Sequence, residues 1–356
     1  MTQGSSAPRG AGVIARWSSM LDVDDDTPRL TLGEGGTPLV HACRTSERLG
    51  VNVHLKLELC NPTGSFKDRG MCMAVARAVQ AGARTLVCAS TGNTSAAAAA
   101  FAAAAGMRCV VVLPAGKIAA GKLIQAQVAG AIVVEVDGNF DDALAAVREL
   151  SKRPGYALVN SVNPYRIEGQ KTAAYEVCED LGGAPDWLCI PVGNAGNITA
   201  YWQGFTEFHE LGHTHSRPQL LGVQAAGAAP LVDGAPVDSP ETIATAIRIG
   251  RPARGDQALE AIEQSRGAII KRSDHDLLET YRRLAGESGI FAEPASCISV
   301  AGLEHAVATG LIRQGSTVVC VLTGHGLKDP DTAVTVVDPP LRSAASADAI
   351  AEMIDQ

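Results

Sequence analysis

The sequence predicts an α/β protein of two lobes, each a mostly parallel sheet flanked by helices. Three observations lead there. The chain has 356 residues, room for two domains at roughly 150 residues each. From Val51 onward, strand-like apolar runs alternate with helix-like runs. Those strand-like runs are β-branched and nearly continuously apolar, as strands covered on both faces of a parallel sheet must be. A hydrophobic fraction of 46% against a charged fraction of 19% places the chain among ordered globular proteins and not among disordered ones.

Taken in order, Met1 to Pro28 is polar and reads as a mobile arm. Val53–Leu59 reads as a strand and Phe66–Gln80 as a helix. Thr85–Ala89, Arg108–Leu113 and Ala131–Val136 read as strands, each followed by a helix: Thr94–Ala105, Lys117–Ala129 and Phe140–Ser151. Tyr156–Pro164 reads as the crossing between lobes, ahead of a helix over Ile167–Leu181. Trp187–Pro191, Gln219–Gln224 and Thr317–Leu322 are further strands, with a helix after Asn197. Leu231–Pro240 and Gly250–Asp256 are rich in turn formers and read as loops over a site. No period of 20–50 residues repeats, which argues against a solenoid.

Charge excludes one class of function. The chain carries 30 Lys+Arg against 38 Asp+Glu, a net charge of -8, so no basic surface for nucleic acid is expected. The longest apolar run, Ala96 to Ala105, is about half of a membrane span. Met1 to Gly12 lacks the charged start and apolar core of a signal peptide, so a cytoplasmic protein is expected. The nine cysteines are scattered and none forms C-x-x-C. They read as reduced, buried thiols, with no metal site and no disulfide framework.

Four segments carry polar chemistry at predicted strand ends or helix starts. In Ser65-Phe66-Lys67-Asp68-Arg69-Gly70, Ser65 is placed as an N-cap with Asp68 completing a box-like pair. That sets Lys67 in the first helical turn, where the helix dipole disfavours a cation. Two readings stand: an exposed lysine beside Asp68, or an amine of lowered basicity able to form a Schiff base with an aldehyde. Ser90-Thr91-Gly92-Asn93-Thr94-Ser95 either caps a helix or offers hydroxyls, an amide and free N–H groups to a carboxylate or phenolate. Gly193-Asn194-Ala195-Gly196-Asn197 is a structural turn or a backbone cradle for phosphate. It is neither a Walker loop nor a G-x-G-x-x-G fingerprint. Thr323-Gly324-His325-Gly326 ends a strand, where ligands of open α/β sheets bind. Thr323 there is a plain strand end or a hydroxyl for a ring nitrogen. Three further groups read as structural: His209, His213 and His215 as a solvated loop, Lys56 with Glu58 as an ion pair on one strand face, and Gly33–Pro38 as a turn at a lobe interface.

In this order, S-F-K-D-R-G, S-T-G-N-T, G-N-A-G-N and a late T-G-x-G resemble the fold-type II pyridoxal-5′-phosphate enzymes, the tryptophan-synthase-β-like fold. The resemblance is nearest to the threonine synthase family in its shorter bacterial form. It runs from Glu34-Gly35-Gly36-Thr37-Pro38-Leu39 to Gly326-Leu327-Lys328-Asp329-Pro330, through Asn160-Ser161-Val162-Asn163-Pro164 and Arg166-Ile167-Glu168-Gly169-Gln170. It implies pyridoxal 5′-phosphate as cofactor, with Lys67 as its Schiff-base lysine and as the catalytic acid and base. It implies Asn93 on the pyridine 3′-oxygen, Gly193, Asn194, Ala195, Gly196 and Asn197 around the cofactor phosphate, and Thr323 facing the pyridine nitrogen. It implies a small-molecule substrate, O-phospho-L-homoserine, converted with water to L-threonine and phosphate. Arg166, helped by Asn160, Ser161 and Thr94, would receive the substrate's phosphate. It also implies a homodimer, a large lobe of residues 1–54 and 161–356 that binds the cofactor, and a small mobile lobe of residues 55–160.

Three other readings compete. A threonine/serine dehydratase or related elimination enzyme would share S-F-K-D-R-G, and Asn160, Ser161 and Arg166 speak against it. An inactive cofactor-binding regulator is opposed by the presence of Lys67. A nucleotide-binding protein lacks its loop signatures. One departure from the resembled pattern, T-G-N-G-L-K-D-P, is His325 in place of Asn. That ring either adds pH sensitivity or points outward.

Overall fold

The computed structural model describes residues 7–116 and 120–355. Its strands are, in chain order, β1 (Leu39–His41), β2 (Asn52–Leu57), β3 (Thr85–Ala89), β4 (Arg108–Pro114), β5 (Ile132–Val136), β6 (Tyr156–Leu158), β7 (Trp187–Pro191), β8 (Gln219–Ala225), β9 (Ala268–Arg272) and β10 (Thr317–Leu322). They form two sheets, a six-stranded one in the order β1-β2-β10-β7-β8-β9 and a four-stranded one in the order β5-β4-β3-β6. Every pairing is parallel except β1 with β2. β2 lies in the larger sheet, so the chain enters the smaller one beyond residue 57, and it leaves after β6.

Both faces of each sheet are covered, as continuous apolar strands require. In β3, Val87 and Ala89 pack under the helix Phe140–Leu150, while Leu86 and Cys88 turn to the main core. In β10, Val319 and Val321 face the main core, and Val318, Cys320 and Leu322 face the helix Pro294–Ala308. Seven cysteines, from Cys72 to Cys320, are buried and none is paired. No group of metal-ligating side chains occurs among the described residues. No helix of the described residues is long and apolar enough to cross a membrane.

Several expectations need correction. The N-terminal segment is not a free arm where it is described. Val13–Trp17 is helical and buries Val13, Ile14 and Trp17. The Trp17 ring lies 5.1 Å from that of Tyr175 and 6.4 Å from that of Phe208. The strand predicted over Val53–Leu59 stops at Leu57, and Glu58–Cys60 form a 3-10 turn. Gly250–Asp256 is a loop only as far as Arg254, where the helix Gly255–Gln264 begins. The predicted helix Lys117–Ala129 is seen as Ala120–Val128, its first three residues lying outside the described ones.

Two glycines set the distance between the helices that build the site. A Cβ on Gly169 would stand 1.8 Å from the Arg69 carbonyl oxygen, and one on Gly70 2.6 Å from that of Arg166. The helices Lys67–Gln80 and Tyr165–Leu181 therefore touch backbone to backbone. That contact carries Lys67 and Arg166, near the starts of the two helices, to one place. Below it lies a buried charge network. The Arg69 guanidinium donates to Glu58 Oε2 at 2.7 Å and to Glu176 Oε2 at 2.6 Å, and Lys56 Nζ donates to Glu176 Oε2 at 2.9 Å. Lys56 thus pairs with Glu176, not with its strand neighbour Glu58.

Candidate functional site

The site is assembled where the end of β10 meets three helix starts. Phe66 N–H donates to the Thr323 carbonyl at 3.0 Å, and Ser65 forms a bridge with Gly324. This seam holds Lys67 against the carboxyl end of β10. Lys67 is the first residue of its helix. The capping pair predicted between Ser65 and Asp68 does not form. Asp68 instead accepts from Thr63 N–H at 2.7 Å and from Thr63 Oγ1 at 2.6 Å, closing the preceding turn. Burial pushes the Asp68 carboxyl up to about 7, with the Thr63 hydrogen bonds opposing it.

Lys67 is half-buried and has no carboxylate partner among the described residues, so the reading of an exposed lysine beside Asp68 fails. Its Nζ sits 4.2 Å from the centre of the Phe66 ring. Removal from water, and after it the Arg166 charge, lowers the amine to about 7, with Glu293 pulling the other way. Desolvation and a second cation, rather than the helix dipole alone, make this lysine a base near neutrality.

Asn93 opens the helix Asn93–Ala104 and donates from Nδ2 to Glu293 at 3.1 and 3.3 Å. Thr94 is half-buried beside it. Thr323 is buried, and its Oγ1 lies 2.9 Å from Ser296 Oγ and 3.4 Å from Glu293 Oε1. Glu293 and Ser296 escaped the sequence reading. They stand at the start of Pro294–Ala308, far from the other motifs in sequence, and only Pro294 marked a helix start there. Burial raises the Glu293 carboxyl, with Asn93 and the Lys328 and Lys67 charges opposing.

Gly193 to Asn197 wrap from the end of β7 into the helix Gly196–Glu210. Ala195 takes a left-handed conformation, φ 65°, which an L-residue adopts at a cost. A Cβ on Gly193 would be 2.9 Å from Ile247 Cα. Asn197 is buried and its Nδ2 has no hydrogen-bond partner. The turn thus offers first-turn N–H groups and an unpaired amide to an anion.

Arg166 is 2% exposed. No ion pair to it occurs among the described residues. Its Nη1 donates to the Val159 carbonyl at 3.3 Å, and its Nε is buried without a partner. Burial lowers the guanidinium to about 10, with Cys88 opposing and Arg254 adding to the fall. Asn160 is placed close by, but both polar ends of its amide are bonded to the Ala89 backbone, at 3.0 and 2.9 Å. Ser161 presents its carbonyl to Arg254 Nε at 3.4 Å. His325 Nδ1 accepts from Leu327 N–H at 3.2 Å, and its ring meets Phe291 edge-on. The histidines at 209, 213 and 215 form no ligand cluster.

The fold and site define a class: an α/β enzyme with an amine of lowered basicity and two anion-accepting groups at helix starts. Comparison with known proteins carries this further. The pyridoxal-phosphate dependent enzyme family matches residues 30–324. Threonine synthase of Halalkalibacterium halodurans is 58% identical over 327 residues, 92% of each chain. That of Mycobacterium bovis is 56% identical over 96% of this chain and 94% of its own, and that of Methanocaldococcus jannaschii 47% identical over 92% and 84%. Among solved structures, maize serine racemase superposes with TM-score 0.74 at 18% identity, covering 91% of this chain and 94% of its own. O-ureido-L-serine synthase gives TM-score 0.71 at 24% identity over 89% and 96%, so these two share the fold. The chain belongs to the pyridoxal-phosphate-dependent enzymes and, within them, to the threonine synthase family. It is a lyase, and its cofactor is pyridoxal 5′-phosphate.

Proposed function

We propose that the chain converts O-phospho-L-homoserine and water to L-threonine and inorganic phosphate, with Lys67 as the lysine that bonds the cofactor and then moves protons. The observation that carries this reading is Arg166, a buried guanidinium without a carboxylate, next to an amine of lowered basicity. A dehydratase acting on threonine or serine has no phosphate to place there.

The residues fit the cofactor. The unpaired Asn197 amide and the left-handed turn at Ala195 suit a phosphate held by Gly193, Asn194, Ala195, Gly196 and Asn197. Asn93, now bonded to Glu293, would give its amide to the 3′-oxygen. Thr323 would face the ring nitrogen with a neutral hydroxyl, which imposes no proton there. When bound, the cofactor supplies the electron sink that makes protons near the amino group labile.

The remaining chemistry falls to side chains of this chain. Lys67 removes the α proton of the substrate, and an amine near neutrality can return a proton as readily as it takes one. Arg166 holds the departing phosphate and offsets its charge, with the Ser161 and Thr94 hydroxyls beside it. Asn160 acts at one remove, by fixing the Ser161 turn to the end of β3. We place the mobile lobe in the segment 55–160, its β2 residues staying with the larger sheet, against 1–54 and 161–356. A homodimer, tested by sedimentation, and a cytoplasmic location, with which the unpaired cysteines agree and which fractionation tests, complete the reading.

The deciding assay incubates the protein with O-phospho-L-homoserine and, separately, with threonine, following phosphate, threonine and 2-oxobutyrate. Threonine and phosphate in equal amounts are expected. Formation of 2-oxobutyrate from threonine alone would make it a dehydratase, and no turnover with full cofactor absorbance would make it a regulator. Borohydride reduction and peptide mapping should place the pyridoxyl group on Lys67, not on Lys56, Lys117 or Lys171.

A further inference from the structure

We propose that Arg254 is a second guanidinium for the substrate's phosphate and forms an anion clamp with Arg166. This rests on the reading of a phosphorylated substrate above. Arg254 precedes the helix Gly255–Gln264, in a loop stitched to the Gly193–Asn197 turn. Its backbone N–H donates to the Asn194 carbonyl at 3.3 Å, and Ala253 N–H donates to Asn194 Oδ1 at 3.4 Å. Its side chain passes the start of the helix Gly196–Glu210, with Cδ 3.8 Å from the point a Cβ on Gly196 would occupy. Nε then reaches the Ser161 carbonyl at 3.4 Å. Arg254 thereby spans the gap between the backbone turn that suits the cofactor's phosphate and the Asn160–Ser161 segment that leads into Arg166.

Charge gives the arrangement its meaning. Arg254 is half-buried and, like Arg166, is in no ion pair among the described residues. Arg166 is nearly fully buried with Nε unpartnered. The two cations are close enough that Arg254 lowers the proton affinity of Arg166. Two neighbouring guanidiniums bonded to backbone carbonyls and without a counter-charge repel one another and are costly to bury. An anion removes that penalty, and a phosphate dianion matches two forked donors better than a single carboxylate does. On the reading above, the cofactor's phosphate falls to the backbone donors of the Gly193–Asn197 turn, which leaves Arg254 for the second one. The same clamp would hold the released product, so inorganic phosphate should inhibit competitively through Arg254.

The test compares wild type, Arg254→Gln and Arg254→Lys as holoenzymes. In Arg254→Gln the KM for O-phospho-L-homoserine and the inhibition constant for inorganic phosphate should both rise about 10- to 100-fold. The fall in kcat should be smaller, and Arg254→Lys should recover part of both constants. Cofactor absorbance and affinity should not change. Adding inorganic phosphate should raise the melting temperature of wild type more than that of Arg254→Gln. Unchanged KM and unchanged phosphate inhibition would overturn the proposal. So would lost cofactor affinity with phosphate inhibition intact, which would move Arg254 to the cofactor's phosphate. Should wild type fail to use O-phospho-L-homoserine, the substrate reading falls. The clamp then stands or falls on whether the phosphate-induced melting shift depends on Arg254.

Discussion

Arg69 and Arg166 are two buried arginines on adjoining helices, and they are treated in opposite ways. Arg69 is bonded on every nitrogen: to Glu58 through Nε, to Thr172 and Glu176 through Nη1, and to Thr37, Glu58 and Glu176 through Nη2. Arg166 has one bond to a carbonyl and a buried Nε with no partner. Burying a charge is costly, so a protein either supplies the counter-charge or leaves the place for a ligand to supply it. The first solution fixes the fold under the site. The second is the one the proposed phosphate site relies on. The two are told apart by counting partners, since burial alone is the same for both.

The largest effect should come from unbalancing the first arginine. Glu176→Gln keeps the shape but leaves Arg69 and Lys56 buried with one fewer anion. A loss of about 3–5 kcal/mol in stability is expected, as for other broken buried pairs. Chemical denaturation measures it, and added phosphate should not rescue it. A loss below about 1 kcal/mol would mean the network is not the buttress described here.

Removing the second arginine should do the reverse. Arg166→Met keeps most of the volume and deletes an unpaired buried cation, so stability should hold or rise. Its kcat/KM on O-phospho-L-homoserine should fall at least about 10- to 150-fold, from roughly 1.5–3 kcal/mol per charge-assisted bond. Cofactor loading should be retained, read by absorbance in the same sample. Destabilisation as deep as that of Glu176→Gln would erase the distinction between the two arginines.

Acid and base separate the regions again. For Glu176, burial opposes ionisation, but Arg69 and Lys56 outweigh it and hold the carboxyl well below its usual range. That stability is present above the unfolded value of about 4.3 and is lost as pH falls below it. Lys67, lowered to about 7 by burial and then Arg166, gives a slope of the same sign at higher pH, although there the fold favours the uncharged form. Between about 7 and about 10.4 the unfolded chain holds a proton that the folded one has released, so the cofactor-free protein gains stability as pH rises through that window. Asp68, raised to about 7 by burial, loses stability as pH climbs from about 3.9 to about 7. Denaturation of the cofactor-free protein from pH 3 to 10 tests all three. Lys67→Met should flatten the curve only above pH 7.

The features legible in sequence were those whose cause is local. Turns, helix starts and small polar residues in S-F-K-D-R-G and G-N-A-G-N follow from a few neighbouring residues, and strands such as β3, β7 and β10 end where their apolar runs end. What escaped depends on distant partners. Val13, Ile14 and Trp17 sit in a segment that reads as polar and are buried in the main core, where Trp17 meets Tyr175 and Phe208. Asp68 had a plausible cap partner in Ser65 and took Thr63 instead. Glu293 and Ser296 reach Asn93 and Thr323 only through tertiary packing. Arg254 lies in a loop that the structure ties to Asn194, but nothing local told it from Arg251, which pairs with Asp238 on the surface.

The smallest effect concerns His325, which the comparison of arginines also classifies. Its Nδ1 accepts the Leu327 N–H and so caps the short turn Gly326–Lys328. Its ring lies edge-on to Phe291 with centroids 5.9 Å apart. Like Arg69, it commits a polar atom, Nδ1, to the protein. An asparagine Oδ1 can accept from the same N–H, and asparagine ranks among the better caps. His325→Asn should therefore forfeit only the ring contact, about 0.5–1.5 kcal/mol at most. The pH profile of kcat/KM should superpose on that of wild type. If the acidic limb shifts in His325→Asn, the ring exchanges a proton during turnover and belongs with Arg166 and Lys67 among the groups left open to the ligand.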